Sequence, residues 1–378
     1  MRIAGLLLLL PLLTASIGSL RGQTPGLWRP SVYPTGVNVS GNTGPQLGIG
    51  FGYTRKADSL AGHLVDGSLV VAGGYGWRGS WFGTLAFRAP GLWPGWRLVL
   101  TGLAQREARF EFLGVGNESV YQPDSVTSTQ PYFYKLRRTR YRAEIEGTRT
   151  IRAGWSVALA VGIAHTRYDS LPGPSLFLST YGPALAEADR TARVSLIFDR
   201  RDSEFDPRRG VFMELSATVG SGGGGYTRFS SITRAYIALG SRTTAALKLA
   251  GADMSGSPTL SARFELPVWE GSVNVLGAPV SHRGLRSQRF VGRGVEFGTV
   301  ELRTSLVRTA RRIELMGAAF LDFGRVFEGE PFVPTVNGLK LGPGVGLGVR
   351  VRGKPLVHVY AARGPEGVVV SSRTGWVF

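Results

Sequence analysis

Residues 211–219 read VFMELSATV, a stretch in which every second side chain is aliphatic. Successive side chains of a β-strand point to opposite faces of the sheet, so this alternation predicts a strand with one apolar face. Glu214, Ser216 and Thr218 would then lie on the opposite, more polar face. The apolar face would carry Val211, Met213, Leu215, Ala217 and Val219.

The same two-residue period recurs in residues 155–163, 192–198, 313–321 and 345–351. No stretch keeps the 3.6-residue period of an amphipathic helix, so little helix is expected. These patterns together predict an all-β chain.

The composition excludes several kinds of site. The 378 residues include no Cys, which excludes disulfides, thiolate metal sites and cysteine nucleophiles. The four His residues are scattered along the chain, so neither a metal site nor another cofactor is predicted. The formal net charge is +18, and a basic interior would favour anions.

The N-terminus reads as a secretory signal peptide over residues 1–22. Arg2 precedes an apolar run, and small residues follow before an exit after Ser19 or Gly22. A membrane-anchoring helix is the alternative. Beyond Leu20 no apolar run reaches the roughly 20 residues that a spanning helix needs, so the exported chain is soluble or crosses a membrane as strands.

Two architectures share the alternation, a soluble β-sandwich and a transmembrane barrel. The barrel is favoured because many strands carry Arg and Glu at the polar positions but almost no charge at the apolar ones, and because the chain ends in Phe378. Tryptophans also lie near predicted strand ends, as interfacial aromatics do. Open sheet edges are not tolerated in hydrocarbon, so we predict a closed antiparallel transmembrane β-barrel.

Turn signals divide the chain into about 16 strands, with about 14 as the alternative. The predicted barrel covers residues 46–378, and residues 23–45 form a short periplasmic segment. The turns are placed near Asp58, Gly79, Pro94, Pro123, Gly154, 172–174, 207–210, 222–225, Ser241, Gly256, 277–294, Arg311, 331–338, Gly353 and Gly364.

Four segments carry a family resemblance: FLGVGNES (112–119), FDRRDSEFDPRRG (198–210), HRGLRSQRFVGRG (282–294) and FLDFG (320–324). In this order and spacing the chain resembles the outer-membrane assembly and translocation superfamily. That superfamily includes BamA, TamA, the bacterial surface antigens and the two-partner secretion transporters. The resemblance implies an integral outer-membrane barrel, with residues 198–210 as a periplasmic hairpin between strands 7 and 8.

The resemblance also implies a long loop between strands 11 and 12 that folds back inside. Its Arg-Gly-aromatic tip is held in the family by an acidic residue of a Phe-x-Asp-x-Gly strand. Leu285 stands where the family usually has an aromatic residue. The positions that correspond to the two motifs are Arg283, Gly284, Leu285, Phe320, Asp322 and Gly324.

The residue chemistry agrees with this reading. Asp322 shares a strand face with Phe320, and a carboxylate facing lipid would be costly. Arg283 offers a planar fork that matches a carboxylate, so an Arg283–Asp322 pair is predicted. Glu301 and Arg303 fall on the same face of their strand and could extend the network. The alternative is that Arg283 is a solvated loop residue and Asp322 an ordinary interior charge.

The function implied by the resemblance is insertion or translocation of protein or lipid substrates, with the seam between the first and last strands opening laterally. No Gly-x-Ser-x-Gly nucleophile elbow is present, and we predict that the chain is not an enzyme. A passive pore with a basic, anion-preferring lumen is the alternative function. A structural barrel without transport is a third.

The expected partners follow from the same resemblance. Family members usually carry periplasmic POTRA domains, and this sequence leaves no room for them before the first strand, so a barrel-only member is expected. Such a barrel would act on protein cargo with a separate periplasmic partner protein. It would contact outer-membrane lipids, including anionic lipids of the lipopolysaccharide type, bind no nucleic acid, and be monomeric.

Overall fold

The computed structural model describes residues 27–34, 38–40, 42–56, 65–204, 206–277, 279–309, 313–329, 336–351 and 354–374. The predicted signal peptide lies outside these residues, as do Trp376 and Phe378.

The described residues divide into two compact units, and the first comprises residues up to Glu111, Pro123–Arg149 and Ala160–Arg190. Two strands, β8 (Trp155–Ser170) and β9 (Ala184–Asp199), have residues in both units. A short helix α1 (Leu176–Tyr181) lies between them in sequence. The other strands of the first unit are β1 (Trp28–Pro34), β2 (Asn38–Ser40), β3 (Gly44–Lys56), β4 (Val65–Gly76), β5 (Trp81–Trp93), β6 (Trp96–Glu111) and most of β7 (Lys135–Arg152).

The second unit contains the remaining strands and one further helix, α2 (Leu260–Phe264), which Thr259 caps by accepting a hydrogen bond from the Ala262 amide. Neither α-helix among the described residues is long and apolar enough to cross a membrane. The strands of the second unit are β10 (Gly210–Gly220), β11 (Tyr226–Leu239), β12 (Thr243–Gly256), β13 (Glu265–Val268), β14 (Gly271–Asn274), β15 (Gly294–Arg308), β16 (Ile313–Phe327), β17 (Lys340–Val351), β18 (Lys354–Gly364) and β19 (Gly367–Thr374).

Among the described residues, 17 strands belong to one sheet, and β13 and β14 form a separate hairpin. β1 and β2 both pair with β3, because Pro34 lies opposite Ile49 and Asn38 continues the same edge opposite Gln46. Counted as one interrupted strand, they reduce the sheet to sixteen strands, all in antiparallel pairs where the pairing is described. The predictions of an all-β class and about 16 strands are confirmed.

The prediction that residues 23–45 form a periplasmic extension outside the sheet needs correction. The described part of this segment is largely strand, since Trp28–Pro34 and Asn38–Ser40 join the sheet. Pro30 and Pro34 concealed this strand, because proline is uncommon within central strands.

The two faces of the sheet differ sharply in what they expose. Along β10, Phe212, Glu214 and Ser216 are buried, whereas Met213 and Leu215 are exposed. We call these the polar face and the apolar face. A soluble sandwich would bury the apolar face, so its exposure agrees with hydrocarbon contact. Exposed residues of the apolar face in the second unit include Leu215, Phe229, Leu249, Val300, Leu321, Val345 and Val368.

The long loop, residues 257–293, joins β12 to β15 and contains α2 and the β13–β14 hairpin. With β1 and β2 counted as one, it lies between strands 11 and 12, as expected. The hairpin at residues 200–209 lies between β9 and β10, the eighth and ninth strands, and not between the seventh and eighth. The difference arises because the first strand was taken for an extension.

Replacing Leu215 by Arg tests the apolar face. Leu215 is 53% exposed at the middle of β10, and an arginine near the bilayer centre should destabilise the folded state by about 2–4 kcal/mol. Urea unfolding in lipid vesicles, followed by tryptophan fluorescence, measures this. The matched control, Leu215→Met, should cost less than about 1.5 kcal/mol. Equal stability of the two variants would contradict hydrocarbon contact at this face.

Candidate functional site

The inner part of the long loop, described over residues 275–277 and 279–293, packs against the polar face of the second unit. We call these residues the inner loop and His282–Leu285 its tip. Leu276, Leu285 and Phe290 are almost fully buried in an apolar cluster with Phe297 and Val326 of the sheet. Leu285, which departs from the family's aromatic, therefore acts as an apolar anchor.

The loop tip places Arg283 directly on Asp322 of β16. The Arg283 Nε and Nη2 atoms donate to the two carboxylate oxygens at 2.9 and 2.8 Å, and the Arg283 backbone amide donates to Oδ2 at 2.7 Å. The Thr299 hydroxyl donates to Oδ1 at 2.8 Å. Both charged side chains are about 1% exposed or less. The carboxylate thus fixes both the side chain and the backbone of the tip.

Glu301 of β15 adds a second carboxylate. It accepts from Arg283 Nη1 and, at 2.6 Å, from Nε of Arg303. Lys248 of β12, also buried, donates to the carbonyl oxygen of Val280 in the inner loop. Arg283, Arg303 and Lys248 thus surround the two carboxylates of the network. Every buried charge has a partner, as its low-dielectric surroundings require.

The pKa of Arg283 follows from these contacts. Burial by itself lowers it, but the hydrogen bonds and charge of Asp322 and the charge of Glu301 raise it above its ordinary value. Burial lowers the pKa of His282, so this ring is neutral near pH 7. The His282 Nε2 atom donates to the carbonyl oxygen of Lys340 at 3.0 Å.

Two aromatic rings enclose the guanidinium of Arg283. Its Cζ atom lies 3.2 Å from the centre of the Phe320 ring and 4.9 Å from that of Tyr360 on β18. The two rings meet edge to face, with centroids 5.8 Å apart. Aromatic faces attract cations, and these rings also exclude water from the ion pair. Phe320 therefore contributes to the binding of the arginine rather than only to packing.

Glycines allow the backbone of the loop tip to approach the backbones of β17 and β18 closely. A Cβ atom at Gly364 would overlap the carbonyl oxygen of Gly284, and a Cβ at Gly284 would lie 3.2 Å from the Cα of Gly342. The backbones of the tip, β17 and β18 thus meet without side chains between them. Gly324 serves elsewhere, since a Cβ there would collide with the side chain of Leu276.

A second set of contacts lies farther along the inner loop. Arg289 donates to the hydroxyl and carbonyl oxygens of Ser119 at 2.9 and 2.7 Å and pairs with Glu366. Arg286 lies 3.6 Å from the same Glu366 carboxylate. Glu366 belongs to the turn between β18 and β19, so these contacts tie the inner loop to the last hairpin and to the segment 112–119. We call Ser119, Arg286, Arg289 and Glu366 the outer clamp.

The structure brings most of the predicted site residues together. Arg283, Asp322, Phe320, Glu301 and Arg303 form one network, and the remaining three make the separate contacts described above. Sequence reasoning did not find Lys248, Thr299, Tyr360 or the outer clamp. One signal was available, since Lys248 is the only charge in the stretch TTAALKLAGA of residues 243–252. Within the described residues, no three acidic or His side chains are grouped as metal ligands.

Residues 72–362 match the Omp85 superfamily domain. Because the match covers most of the chain and includes the whole network, the chain belongs to the Omp85 superfamily. It is therefore an integral outer-membrane protein of a superfamily of insertion and translocation barrels. The predicted localisation is confirmed.

Two solved structures show the same fold. One is the crystal structure of BamA from Haemophilus ducreyi lacking POTRA domains 1-3, with 13% identity over 92% of this chain and 70% of that one, at a TM-score of 0.59. The other is CdiB from Escherichia coli, with 12% identity over 93% of this chain and 63% of that one, at a TM-score of 0.58. A comparison with curated proteins finds no match.

Asp322→Asn tests the network. The amide keeps the shape of the carboxylate but leaves Arg283, Arg303 and Lys248 with a single carboxylate, so we expect a loss of about 3–5 kcal/mol in unfolding free energy. Urea unfolding in vesicles measures it. The control, Glu296→Gln, breaks the more accessible Glu296–Arg325 pair and should cost clearly less. Similar losses of unfolding free energy in both variants would contradict a particular contribution of the buried network to stability.

Gly364→Ala tests the close approach of the tip to β18. The added methyl group meets the Gly284 carbonyl, so the tip should be displaced and cleavage by trypsin after Arg283 and Arg289, both buried in the native chain, should rise several-fold. Mass spectrometry of the fragments measures it. Gly271→Ala is the control, because nothing lies within 4 Å of a Cβ there. Unchanged protection in Gly364→Ala would mean that the tip does not depend on this contact.

Proposed function

We propose that this chain inserts or translocates protein substrates at the outer membrane, with the inner loop acting as a rigid element. The buried Arg283–Asp322–Glu301 network is the observation that carries the proposal. We assign functional roles to the loop tip residues Arg283, Gly284 and Leu285 and to Phe320, Asp322 and Gly324, with Glu301 and Arg303 extending the network.

The geometry supports a division between fixed and movable parts. Separating Arg283 from Asp322 would remove three hydrogen bonds from a buried carboxylate and leave it with the Thr299 hydroxyl, so the loop tip stays on β15 and β16. Strands held through this loop should resist deformation, which leaves the seam between the first and last strands as the place for lateral opening. Movable elements are usually those with the lowest local stability.

The proposed partners follow from the two faces of the sheet. The exposed apolar face meets lipid acyl chains, and the excess of basic residues, +18 for the whole sequence, attracts anionic head groups such as those of lipopolysaccharide. Protein cargo and a separate periplasmic partner protein complete the proposal, with the chain working as a monomer. Omp85 members are transporters and insertases rather than enzymes, and we assign no catalytic residue to this chain.

Depletion of the protein in its native cell tests the function. Levels of outer-membrane proteins and export of cargo should fall on depletion, and the wild-type gene should restore them. Asp322→Asn should restore them poorly at equal expression, whereas the control Glu296→Gln should restore them fully. Quantitative proteomics of outer-membrane fractions provides the measurement.

Two outcomes would contradict the proposal. Unchanged outer-membrane protein levels and unchanged export after depletion would exclude the assembly and translocation role. A steady, anion-selective current of the purified chain in planar bilayers, together with that result, would favour the passive pore.

A further inference from the structure

A cavity of about 370 Å³ lies in the second unit, apart from the loop tip. Its walls come from the turn before β10, the turn before β12, and the polar faces of β12, β15, β16 and β17. The residues that matter here are Asp206, Arg208, Arg242, Arg303, Glu314 and Arg350.

The topology places this cavity at the end of the sheet with short turns. Connections between antiparallel neighbours alternate between the two ends of a sheet. The strand ends that flank the β9–β10, β11–β12, β15–β16 and β17–β18 connections therefore share one end, and Gly256 and Gly294, which flank the long loop, lie at the other. In outer-membrane barrels the short turns face the periplasm. The cavity therefore lies at the periplasmic end, on the polar face and away from lipid.

The cavity is strongly basic. Its walls hold five arginines against two carboxylates, Asp206 and Glu314. Arg350 occupies both carboxylates, at 2.9 Å from Asp206 and 3.3 Å from Glu314, and Arg308 lies 3.2 Å from Glu314. The acidic groups of the wall are thus already used by arginines of the wall.

Of the remaining wall arginines, Arg303 pairs with Glu301, whereas Arg208 and Arg242 face neutral partners or solvent. The guanidinium of Arg208 donates to the Thr244 hydroxyl at 3.2 Å and to the Gly240 carbonyl at 2.9 Å. Arg242 is exposed at the mouth. An incoming carboxylate could therefore receive charge-assisted hydrogen bonds from these two guanidinium groups without displacing an existing ion pair.

We propose that this cavity binds the carboxylates of an acidic polypeptide segment that arrives from the periplasm. A lipid head group is disfavoured, because the cavity lies on the face opposite to the exposed aliphatic side chains. The inference rests on the proposed function, in which cargo or a periplasmic partner reaches this end of the sheet. The proposal adds that the segment which binds here is acidic.

Arg303 connects this site with the loop tip. It is 2% exposed, it contributes to the cavity wall, and it donates to Glu301, which also accepts from Arg283. Arg303 therefore belongs both to the cavity wall and to the network that binds the loop tip.

The test uses the purified full-length chain in detergent micelles and a fluorescent tetraglutamate peptide, with binding followed by anisotropy at low ionic strength. The peptide should bind, salt should weaken the binding, and tetraglutamine should not bind. Arg208→Gln combined with Arg242→Gln should weaken binding by about tenfold or more. Because Arg208 also supports its turn, Arg242→Glu alone, at an exposed position, should weaken binding in the same direction.

The matched control is Arg200→Gln combined with Arg209→Gln. Both side chains are exposed, lie at the same turn and carry the same charge, but neither contributes to the cavity wall, so binding should match that of the unaltered chain. Equal weakening in both double variants would overturn the site, as would a peptide that fails to bind the unaltered chain. Binding of inorganic phosphate that tetraglutamate cannot displace would also overturn it.

This measurement is independent of the depletion experiment. A failure of peptide binding with a positive depletion result removes the acidic-segment site and leaves the assembly role intact. Binding with a negative depletion result supports the site and removes the assembly role.

Discussion

The carboxylate of Asp322 is the contact on which the rest of the site depends. It accepts hydrogen bonds from the side chain and the backbone of Arg283 and from Thr299, so one group sets the position of the whole loop tip. Because the contact is buried, it is costly to break, although its net contribution to stability is small. The pair contributes little compared with an apolar core of the same volume, but removal of either partner upsets the balance of charge in a buried network. The loop tip should therefore dissociate rarely once it has docked.

Charged and aliphatic side chains are kept apart over most of the second unit by the two-residue period of its strands. In the second unit, the Arg283–Asp322–Glu301 network and the cavity residues Arg303 and Arg350 lie on the polar face, and the exposed aliphatic side chains lie on the other. A shift of one residue in the register of a strand would exchange the two sets, so the register is strongly specified. For that reason the position of Glu301, Arg303 and Asp322 on a common face is secure once β15 and β16 are paired.

The strands were predictable where alternation was clean, and the errors have physical causes. Pro30 and Pro34 hid the first strand, while the β13–β14 hairpin made the long loop resemble two connections; the two errors cancelled, so the strand count was right although strand numbers in between were wrong by one. The Arg283–Asp322 contact was predictable from motif and face. Lys248, Tyr360 and Glu366 were not, because their roles depend on the path of the inner loop, which alternation does not encode.

The hydrogen bonds and close backbone contacts described for the loop tip are made with strands that come after it in the chain. Asp322 lies on β16, Gly342 on β17, and Tyr360 and Gly364 on β18, while the outer clamp uses the turn before β19. The tip therefore lacks its contacts with β17 and β18 until nearly the whole polypeptide has been delivered to the membrane. Docking of the inner loop should be a late step of biogenesis that reports a completed C-terminal hairpin, and a nascent chain stopped before β18 would keep Arg283 accessible to water.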